Sequence, residues 1–428
     1  MNTPPVQALP DATLALAFAL LMVAPLAVAG VAVVNTGLGR SRSAAQSLLG
    51  CAAIFALGVI CFAIVGGSFA ASQPSAAFHI AGRPWNWIGL GPILVAHLGA
   101  ATPQTQLEAL FELMAAGFVG LIPWGAGADR LRLAAGCLVG AVLALFFFPL
   151  AAHWAWQGGW LAQLDATFGV GASFADPGGA GAVHVLGGLT ALAVIWVTGP
   201  RKGKFPREGL ATAMPAHNAV YVLFGCMIAL VGWLAWNAAG AILWLGATPS
   251  ELPTTALNTL LAAAGAMLAT LLVTRIRFGK PDASLCANGW LAGLVASSAC
   301  GPLVSPEAAL AIGVLSGFCT PLLVELLELA LSIDDPTGAI AVHAAGGLWG
   351  LFATGVLAHH HGQFLAQMIG IAALLGVFLP LAYFLFMLLN RLVPFRVDPD
   401  GERLGMDLHE LGGGAFPEFV IHRDESYR

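Results

Sequence analysis

The strongest constraint on this chain is a series of apolar runs, each about 20 residues long, between residues 13 and 390. A helix of roughly 20 residues crosses the hydrocarbon core of a membrane, which is about 30 Å thick. Charged residues make up only 9% of the sequence, whereas water-soluble chains carry roughly 25%. Because lipid offers no hydrogen-bond partners to an open backbone, the runs must be helical. The sequence therefore predicts an all-α integral membrane protein.

Eleven runs are long enough to be transmembrane helices. The predicted spans are 13–35, 44–67, 106–128, 131–151, 180–199, 215–237, 254–275, 284–303, 306–331, 336–357 and 363–390. No Lys or Arg precedes Arg40, so the basic region of a signal peptide is missing and the first run is predicted to remain as a span. Residues 85–100 are apolar but short, and we predict an external interfacial or re-entrant segment in which Trp85 and Trp87 suit the membrane boundary.

The basic residues predict the orientation of the chain. When the N-terminus is placed outside, sixteen of the 17 Lys and Arg residues fall in inner segments, and only Arg83 falls outside. Basic residues favour the cytoplasmic side of a membrane. We therefore predict a multi-pass protein of the cell (inner) membrane with an external N-terminus and a cytoplasmic C-terminus.

The polar residues give little indication of enzyme chemistry. The sequence contains seven cysteines but no CxxC pair, which favours small packing residues over disulfides or metal ligands. Three consecutive histidines at 359–361 are predicted to lie in a solvated loop, since three neighbours cannot all face one ion. The net charge of −5 gives no reason to expect nucleic acid. We predict no enzyme activity, no metal site and no cofactor.

Two segments of the chain repeat one another. Residues 176–189 and 335–348 both read D-P-x-G-A-x-A-V-H-x-x-G-G-L. The first opens the fifth predicted span and the second opens the tenth, so the two copies run in opposite directions. This pattern predicts an inverted repeat of five plus five helices with an extra C-terminal helix, an architecture that places the functional site between the halves. The predicted divisions are an external N-terminus (1–12), two five-helix halves (13–199 and 200–357), the eleventh helix (358–391) and a cytoplasmic tail (392–428).

His184 and His343 occupy the same position in the two copies, eight residues after Asp176 and Asp335. Each imidazole is predicted to lie roughly eight residues into its helix, on the order of 10 Å deep. An imidazole inside a membrane is costly without a partner, which favours a functional role; the alternative is a packing residue bonded to a backbone carbonyl. The two aspartates are predicted to cap the helices, and the glycine pair after each histidine to permit close helix packing. For Asp176, at the outer mouth, the alternative is a role in substrate recruitment as a carboxylate that attracts a cation.

The repeat and several further motifs together resemble those of the ammonium transporter family (Amt/Mep/Rh), and the likeness extends from about residue 13 to 420. The matching stretches are FELMAAGFVGLIPWGAGADR (111–130), AHWAWQGG (152–159), His217-Asn218, GWLAWNAAG (232–240) and ERLGMDLHELGGGAF (402–416). The resemblance implies a homotrimer with one pore in each subunit. It also implies that His184 and His343 are the twin pore histidines and that Asp176 is the aspartate before the fifth helix.

The resemblance implies transport of ammonium or ammonia. A cation would be recruited at an external vestibule over Trp156, where a cation–indole contact contributes roughly 0.5–2 kcal/mol. A bare cation pays a large desolvation cost in an apolar pore. The cation would therefore lose its proton, and neutral ammonia would pass while the imidazoles relay the proton. Passage of ammonia alone is the variant of this mechanism.

The sequence departs from the family pattern at the vestibule. The first position of the usual phenylalanine gate is Ala115, and the second is Trp236, which also lies in the recruitment site. We predict that Trp236 fills the space left at Ala115. The vestibule serine is replaced by Gly240, and the glutamine before the gate is Glu112. Glu112 is either a neutral residue at a helix contact or a carboxylate that compensates for the lost serine.

The tail motif, with Gly405, Asp407 and Gly412, implies regulation by a PII-type signalling protein, although Leu411 replaces the family's histidine. Three other functions remain open. Ammonium sensing with little transport is favoured by the altered vestibule and disfavoured by the short tail. An Rh-like channel for a neutral gas such as carbon dioxide is the second. A proton-coupled carrier of an organic solute is the third, which the small apolar lining disfavours.

Overall fold

Helices form most of the described part of the chain, as the apolar runs predict. The computed structural model describes residues 8–71, 78–80 and 83–415. The predicted N-terminal segment 1–12 and tail 392–428 are therefore described only in part. Arg423 and Arg428, which the orientation argument used, lie outside the described residues.

Eleven apolar helices account for the predicted spans within these ranges. They are α1 (Asp11–Leu38), α2 (Ser41–Ala70), α3 (Pro103–Ala126), α4 (Leu133–Ala155), α5 (Ala180–Thr198), α6 (Ala219–Leu245), α7 (Leu252–Phe278), α8 (Ala283–Ser297), α9 (Pro306–Ala330), α10 (Ile340–Leu357) and α11 (Gln363–Leu392). Ten of them are long and apolar enough to cross a membrane, and the shorter α8 is apolar too. The predicted all-α membrane fold is confirmed.

Smaller elements connect these helices. Short helices comprise Leu94–His97, Leu164–Phe168 and Pro399–Leu404. A two-stranded antiparallel hairpin pairs Phe78–Ile80 with Arg83–Trp85. We call the side at which α1 begins the N-terminal face and the opposite side the C-terminal face.

Several helix ends differ from the predicted bounds, among them those of α6, α8 and α10. Helix α6 continues eight residues beyond 237, since the Asn237 amide donates to the hydroxyls of Thr259 and Ser297, each at 3.0 Å. Helix α8 ends at Ser297 rather than near 303, because the following loop accepts a backbone hydrogen bond from Gly178. Helix α10 begins at Ile340 rather than 336, after a turn in which Gly338 has a φ of +68°.

Residues 85–100 contain no helix long enough to cross a membrane, which agrees with the prediction of a segment that does not span it. Their helix, Leu94–His97, has only four residues. The indoles of Trp85 and Trp87 stack with ring centroids 5.6 Å apart, and both rings pack on Trp160. Trp85 and Trp87 therefore belong to one indole cluster with Trp160.

Helices α5 and α10 pack backbone to backbone at the glycines of the repeat. A methyl group on Gly188 of α5 would lie 2.3 Å from the backbone nitrogen of Ala344. A methyl group on Gly347 of α10 would lie 2.6 Å from the carbonyl oxygen of Ala180. Small residues permit such approach where lipid supplies no hydrophobic drive between helices. The predicted role of these glycines in close packing is thus seen in both repeat copies.

We expect Gly188→Ala to separate α5 from α10, because the added methyl group meets backbone that cannot rotate away. Overpacking of this kind costs roughly 1–3 kcal/mol, which would lower the unfolding midpoint of the purified protein in detergent. Gly376→Ala in α11 is the matched control, since nothing lies within 4 Å of its Cβ position. Equal midpoints for the two variants would contradict this packing.

A buried ion cluster joins three loops at the C-terminal face. The Arg201 guanidinium contacts Asp334 at 2.8 Å and Asp129 at 3.0 Å, and all three side chains are almost fully buried. Arg130 completes the cluster, with its Nη2 donating to the backbone carbonyl of Asp334 at 2.8 Å. Burial alone would raise the pKa of Asp334, but the hydrogen bonds and positive charges of Arg201 and Arg130 outweigh it and lower the pKa to about 2. The cluster ties the loops that follow α3, α5 and α9.

The lowered pKa of Asp334 makes stability depend on pH. Because the folded value lies below the ordinary 3.8, about 2 kcal/mol of stability is present above pH 4 and is lost as the pH falls towards 2. Asp334→Asn should remove this dependence and cost roughly 3–5 kcal/mol near neutral pH, since two buried guanidinium groups lose a charged partner. Thermal unfolding at several pH values measures both effects.

The control for Asp334→Asn is Glu325→Gln. Glu325 pairs with the half-exposed Arg277, and exposed pairs contribute roughly 0–1 kcal/mol. A loss as large in Glu325→Gln as in Asp334→Asn would show that burial of the cluster is unimportant.

Candidate functional site

The two repeat histidines meet between the halves of the chain. The Nδ1 atoms of His184 and His343 lie 3.2 Å apart, within hydrogen-bond distance. The rings are nearly parallel, with centroids 5.1 Å apart and an interplanar angle of 24°. Both side chains are buried. Each histidine lies closer to the start of its helix than the eight residues predicted, at the fifth residue of α5 and the fourth of α10.

The aspartates of the repeat cap the helices that carry the histidines. Asp176 accepts hydrogen bonds from the backbone N–H groups of Gly181 and Ala182, at distances from 2.8 to 3.1 Å. Asp335 accepts one from Ile340 at 2.8 Å. Both helices begin with a wide π-helical turn, Ala180–Val185 and Ile340–Ala345. The carboxylate of Asp176 is thus directed at the helix start, which is the structural role predicted for it.

Aromatic rings fix the orientation of His184. The indole of Trp233 stacks on the imidazole, with centroids 5.1 Å apart and an angle of 16°. Phe118 meets the same imidazole edge-on at 5.4 Å. The Trp233 N–H donates to the Ser298 hydroxyl at 2.8 Å, which holds the indole in place. The Nε2 atom of His184 is buried and has no hydrogen-bond partner among the described residues.

A second group of aromatic rings lies on the N-terminal-face side of the histidines. The Trp156 N–H donates to the carbonyl of Asp176 at 2.7 Å, and the Trp236 N–H donates to that of Gly178 at 2.9 Å. Trp244 stacks on Trp156 with centroids 5.2 Å apart. We call Phe111, Trp156, Trp236 and Trp244 the vestibule cluster, because Trp156 and Trp236 are the predicted vestibule residues.

Trp236 lies over the face of α3 that carries Ala115. Its ring centroid lies 4.5 Å from that of Phe111 and 5.9 Å from that of Phe118. Phe111 and Phe118 are four residues before and three residues after Ala115, so all three share one helix face. The side chain of Ala115 is fully buried. This placement agrees with the prediction that the large indole occupies the space left by a small alanine.

Gly240 lies where α6 touches the segment before α5. A methyl group on Gly240 would lie 2.0 Å from the carbonyl oxygen of Pro177. The backbone therefore leaves no room for the serine that the resemblance places there.

Glu112 is buried beside the vestibule cluster. Its Oε1 accepts a hydrogen bond from the side-chain amide of Gln157 at 2.9 Å, and Gln157 follows Trp156 in the chain. This geometry fits the interpretation of Glu112 as a hydrogen-bonded residue at a helix contact.

Four aromatic residues at the site were not predicted from the sequence, namely Phe111, Phe118, Trp233 and Trp244. Trp244 follows Gly240 by four residues and Trp236 by eight, so the three residues share one face of α6. That spacing could have identified Trp244. Nothing in the sequence indicates the contact between Trp233 and His184, because those residues belong to different halves of the chain.

The tail docks on the C-terminal face. Asp407 is buried and accepts hydrogen bonds from the backbone N–H groups of Ala45 and Gln46 in the first turns of α2. Gly405 has a φ of +102°, and a methyl group there would lie 2.6 Å from Arg42. Gly412 has a φ of +75° and no neighbour within 4 Å of its Cβ position. Two of the three predicted tail residues are therefore in direct contact with the helical bundle.

These features define a class of protein, a multi-pass membrane protein with two imidazoles buried between inversely oriented helices. No group of three or more His, Cys, Asp or Glu side chains in the described ranges is arranged to hold a metal ion. The site thus rests on imidazoles and aromatic rings.

Comparison with known proteins identifies the family. Residues 12–416 match the sequence profile of the Ammonium Transporter Family. The chain is 31% identical over 419 residues to the ammonium transporter Amt2 of Archaeoglobus fulgidus, covering 93% of this chain and 86% of that protein. This chain belongs to the Ammonium Transporter Family. Since members of that family are transporters, the predictions of a transporter and of no enzyme are confirmed.

Solved structures agree with this assignment. The fold matches a structure titled Sensor Amt Protein with a TM-score of 0.84 and 25% identity, covering 93% of this chain and 98% of that chain. It also matches Mep2 of Saccharomyces cerevisiae with a TM-score of 0.75 and 22% identity, covering 92% of this chain and 89% of that chain. The second match supports the fold alone.

The relation between Ala115 and Trp236 can be measured with a double-mutant cycle. Ala115→Phe alone should destabilise the protein by overpacking, and Trp236→Phe alone by leaving a cavity, each by roughly 1–3 kcal/mol. The double variant should be more stable than the sum of the two single losses in unfolding free energy predicts, because the smaller ring at position 236 makes room for the ring added at position 115. Strictly additive unfolding free energies would contradict the shared space.

Proposed function

We propose that this chain transports ammonium or ammonia across the cell membrane along a path beside His184 and His343. The observation that carries the proposal is the buried imidazole pair, whose Nδ1 atoms lie 3.2 Å apart while the Nε2 of His184 has no partner among the described residues. Family membership supports ammonium as the substrate. The alternative within transport is passage of a neutral gas, as the resemblance to Rh proteins allows.

The geometry of the pair suits proton relay. When both imidazoles are neutral, one Nδ1 carries the proton of the shared hydrogen bond and the other Nδ1 accepts it. The Nε2 atom of the donor ring is then an acceptor, while that of the acceptor ring carries a proton. The pair therefore presents one proton-accepting and one proton-donating nitrogen. An ammonium ion that gives its proton to the pair continues as ammonia, which crosses an apolar path without the desolvation cost of a cation.

Cation recruitment is proposed for the vestibule cluster. Trp156 and Trp236 supply indole faces, which attract cations. The Asp176 and Gly178 carbonyls already accept the indole N–H groups, so they hold the rings in place. Gly240 contributes close packing instead of the hydroxyl of a serine. Glu112 is proposed as a nearby carboxylate that offsets this loss if it ionises.

The chain is proposed to lie in the cell (inner) membrane with its N-terminal face outside. The excess of Lys and Arg in the segments of the C-terminal face supports this orientation. We further propose that the chain divides functionally into the halves 13–199 and 200–357 and forms a homotrimer. We also propose regulation by a PII-type protein through the tail at Gly405, Asp407 and Gly412. The docking of Asp407 on α2 supports the last, because a partner that lifts the tail would free the start of that helix.

Ammonium sensing with little transport is the second candidate. The altered vestibule favours it, since Ala115, Trp236 and Gly240 depart from the family pattern there. The similarity in fold to a structure titled Sensor Amt Protein also supports it. Uptake of methylammonium into proteoliposomes separates the two functions, because a sensor would bind the ion without carrying it across.

We expect His184→Ala and His343→Ala to abolish selective electrogenic flux. Each change removes one nitrogen of the shared hydrogen bond and breaks the relay. Ammonium-induced currents on solid-supported membranes, compared with currents induced by potassium, measure this loss.

His97→Ala is the control for these variants, because His97 is an exposed histidine whose ring bonds only to a nearby carbonyl. It should carry the current of the unchanged protein. Selective current that persists in both pore variants would contradict the relay.

A further inference from the structure

The face of Trp156 that the proposed recruitment site requires is covered by another ring. Trp244 lies parallel to Trp156, with an angle of 7° between the planes and 5.2 Å between the centroids. Phe111 and Phe148 approach Trp156 edge-on at 5.5 and 6.0 Å. Only 9% of Trp156 is exposed. The ring therefore offers little free surface to an incoming ion.

An ion does not fit between the two indoles at their present distance. Heavy atoms in contact are about 3.5–4.0 Å apart, so an ion between two parallel rings needs a separation of roughly 7 Å. The centroid distance of 5.2 Å is shorter than that. Binding to the face of Trp156 thus requires one of the two rings to move.

Trp244 is the less constrained of the two rings, although Phe111 meets it edge-on with centroids 5.8 Å apart. The N–H groups of Trp156 and Trp236 each donate to a backbone carbonyl, whereas the Nε1 of Trp244 is buried without a partner among the described residues. Trp244 is also only half-buried, and it precedes the last residue of α6, after which Gly246 turns the chain with a φ of +65°. Rotation outward would give its N–H a water partner, which offsets part of the lost ring contact.

We propose that Trp244 is the gate of the cation recruitment site. In the closed state it stacks on Trp156, and it must swing towards the N-terminal face before a small cation such as ammonium reaches that ring. Each binding event must then break the stack between Trp244 and Trp156, and the free energy of that stack is lost from binding. Trp244 therefore limits the apparent affinity and excludes larger amines. This inference rests on the proposed function, because it assumes that Trp156 receives the cation.

The test compares the binding of ammonium and methylammonium to the purified full-length protein by titration calorimetry. Trp244→Ala should tighten the binding of both ions by roughly 3- to 10-fold, the equilibrium factor of one stacked aromatic pair. The gain should be larger for methylammonium, because the open vestibule no longer selects by size. Trp244→Phe keeps a smaller ring over Trp156 and should give an intermediate gain.

Two controls make the result decisive. Trp196→Ala removes an indole that is 48% exposed on α5 and contacts Tyr383 rather than the vestibule cluster, and it should leave binding unchanged. Trp244→Leu fills the space with a flexible side chain, so it tests the gate if Trp244→Ala does not fold. Unchanged or weaker binding in every folded Trp244 variant, while the unchanged protein binds ammonium, would overturn the gate and leave the proposed function standing. Absence of ammonium binding in the unchanged protein and in all Trp244 variants would overturn both.

Discussion

The contact between α5 and α10 is the constraint on which the rest of the site depends. Gly188 and Gly347 remove the side chains that would hold the two helices apart, so each backbone lies against the other. Only at that distance can side chains of ordinary length from both helices share a hydrogen bond. The Nδ1 atoms of His184 and His343 meet at 3.2 Å for this reason. The repeat thus encodes both the two histidines and the glycines that bring them together.

The two faces of the molecule stabilise these helices in different ways. At the C-terminal face, Arg201 bridges Asp129 and Asp334 in a buried cluster, where each charge has an opposite partner. Pairing is necessary there because an unpaired buried charge costs several kcal/mol. At the N-terminal face, indole rings pack on one another and bond to backbone carbonyls. A rigid ionic base and an aromatic vestibule therefore lie at opposite ends of the histidine pair.

The departures from the family pattern at the vestibule lie close together in the structure. Trp236 packs against Phe111 and Phe118, on the helix face that carries the small Ala115. A side chain on Gly240 would meet the Pro177 carbonyl, so the backbone there accepts only glycine. Trp244, one turn further along α6, covers one face of Trp156.

The sequence by itself determined the class of fold, the helices long enough to span a membrane and the two histidines at matched positions of the repeat. Apolar run length is a local property, and a repeat of Asp, Pro and His in register is visible without coordinates. Helix ends such as those of α6 and α8 could not be predicted, because the Asn237 amide nitrogen donates to hydroxyls of helices distant in sequence. Only the tertiary structure placed Trp233 on His184 and Trp244 on Trp156. Contacts between rings on different helices depend on how the helices cross, and that crossing is set by contacts between residues distant in sequence rather than by any local pattern.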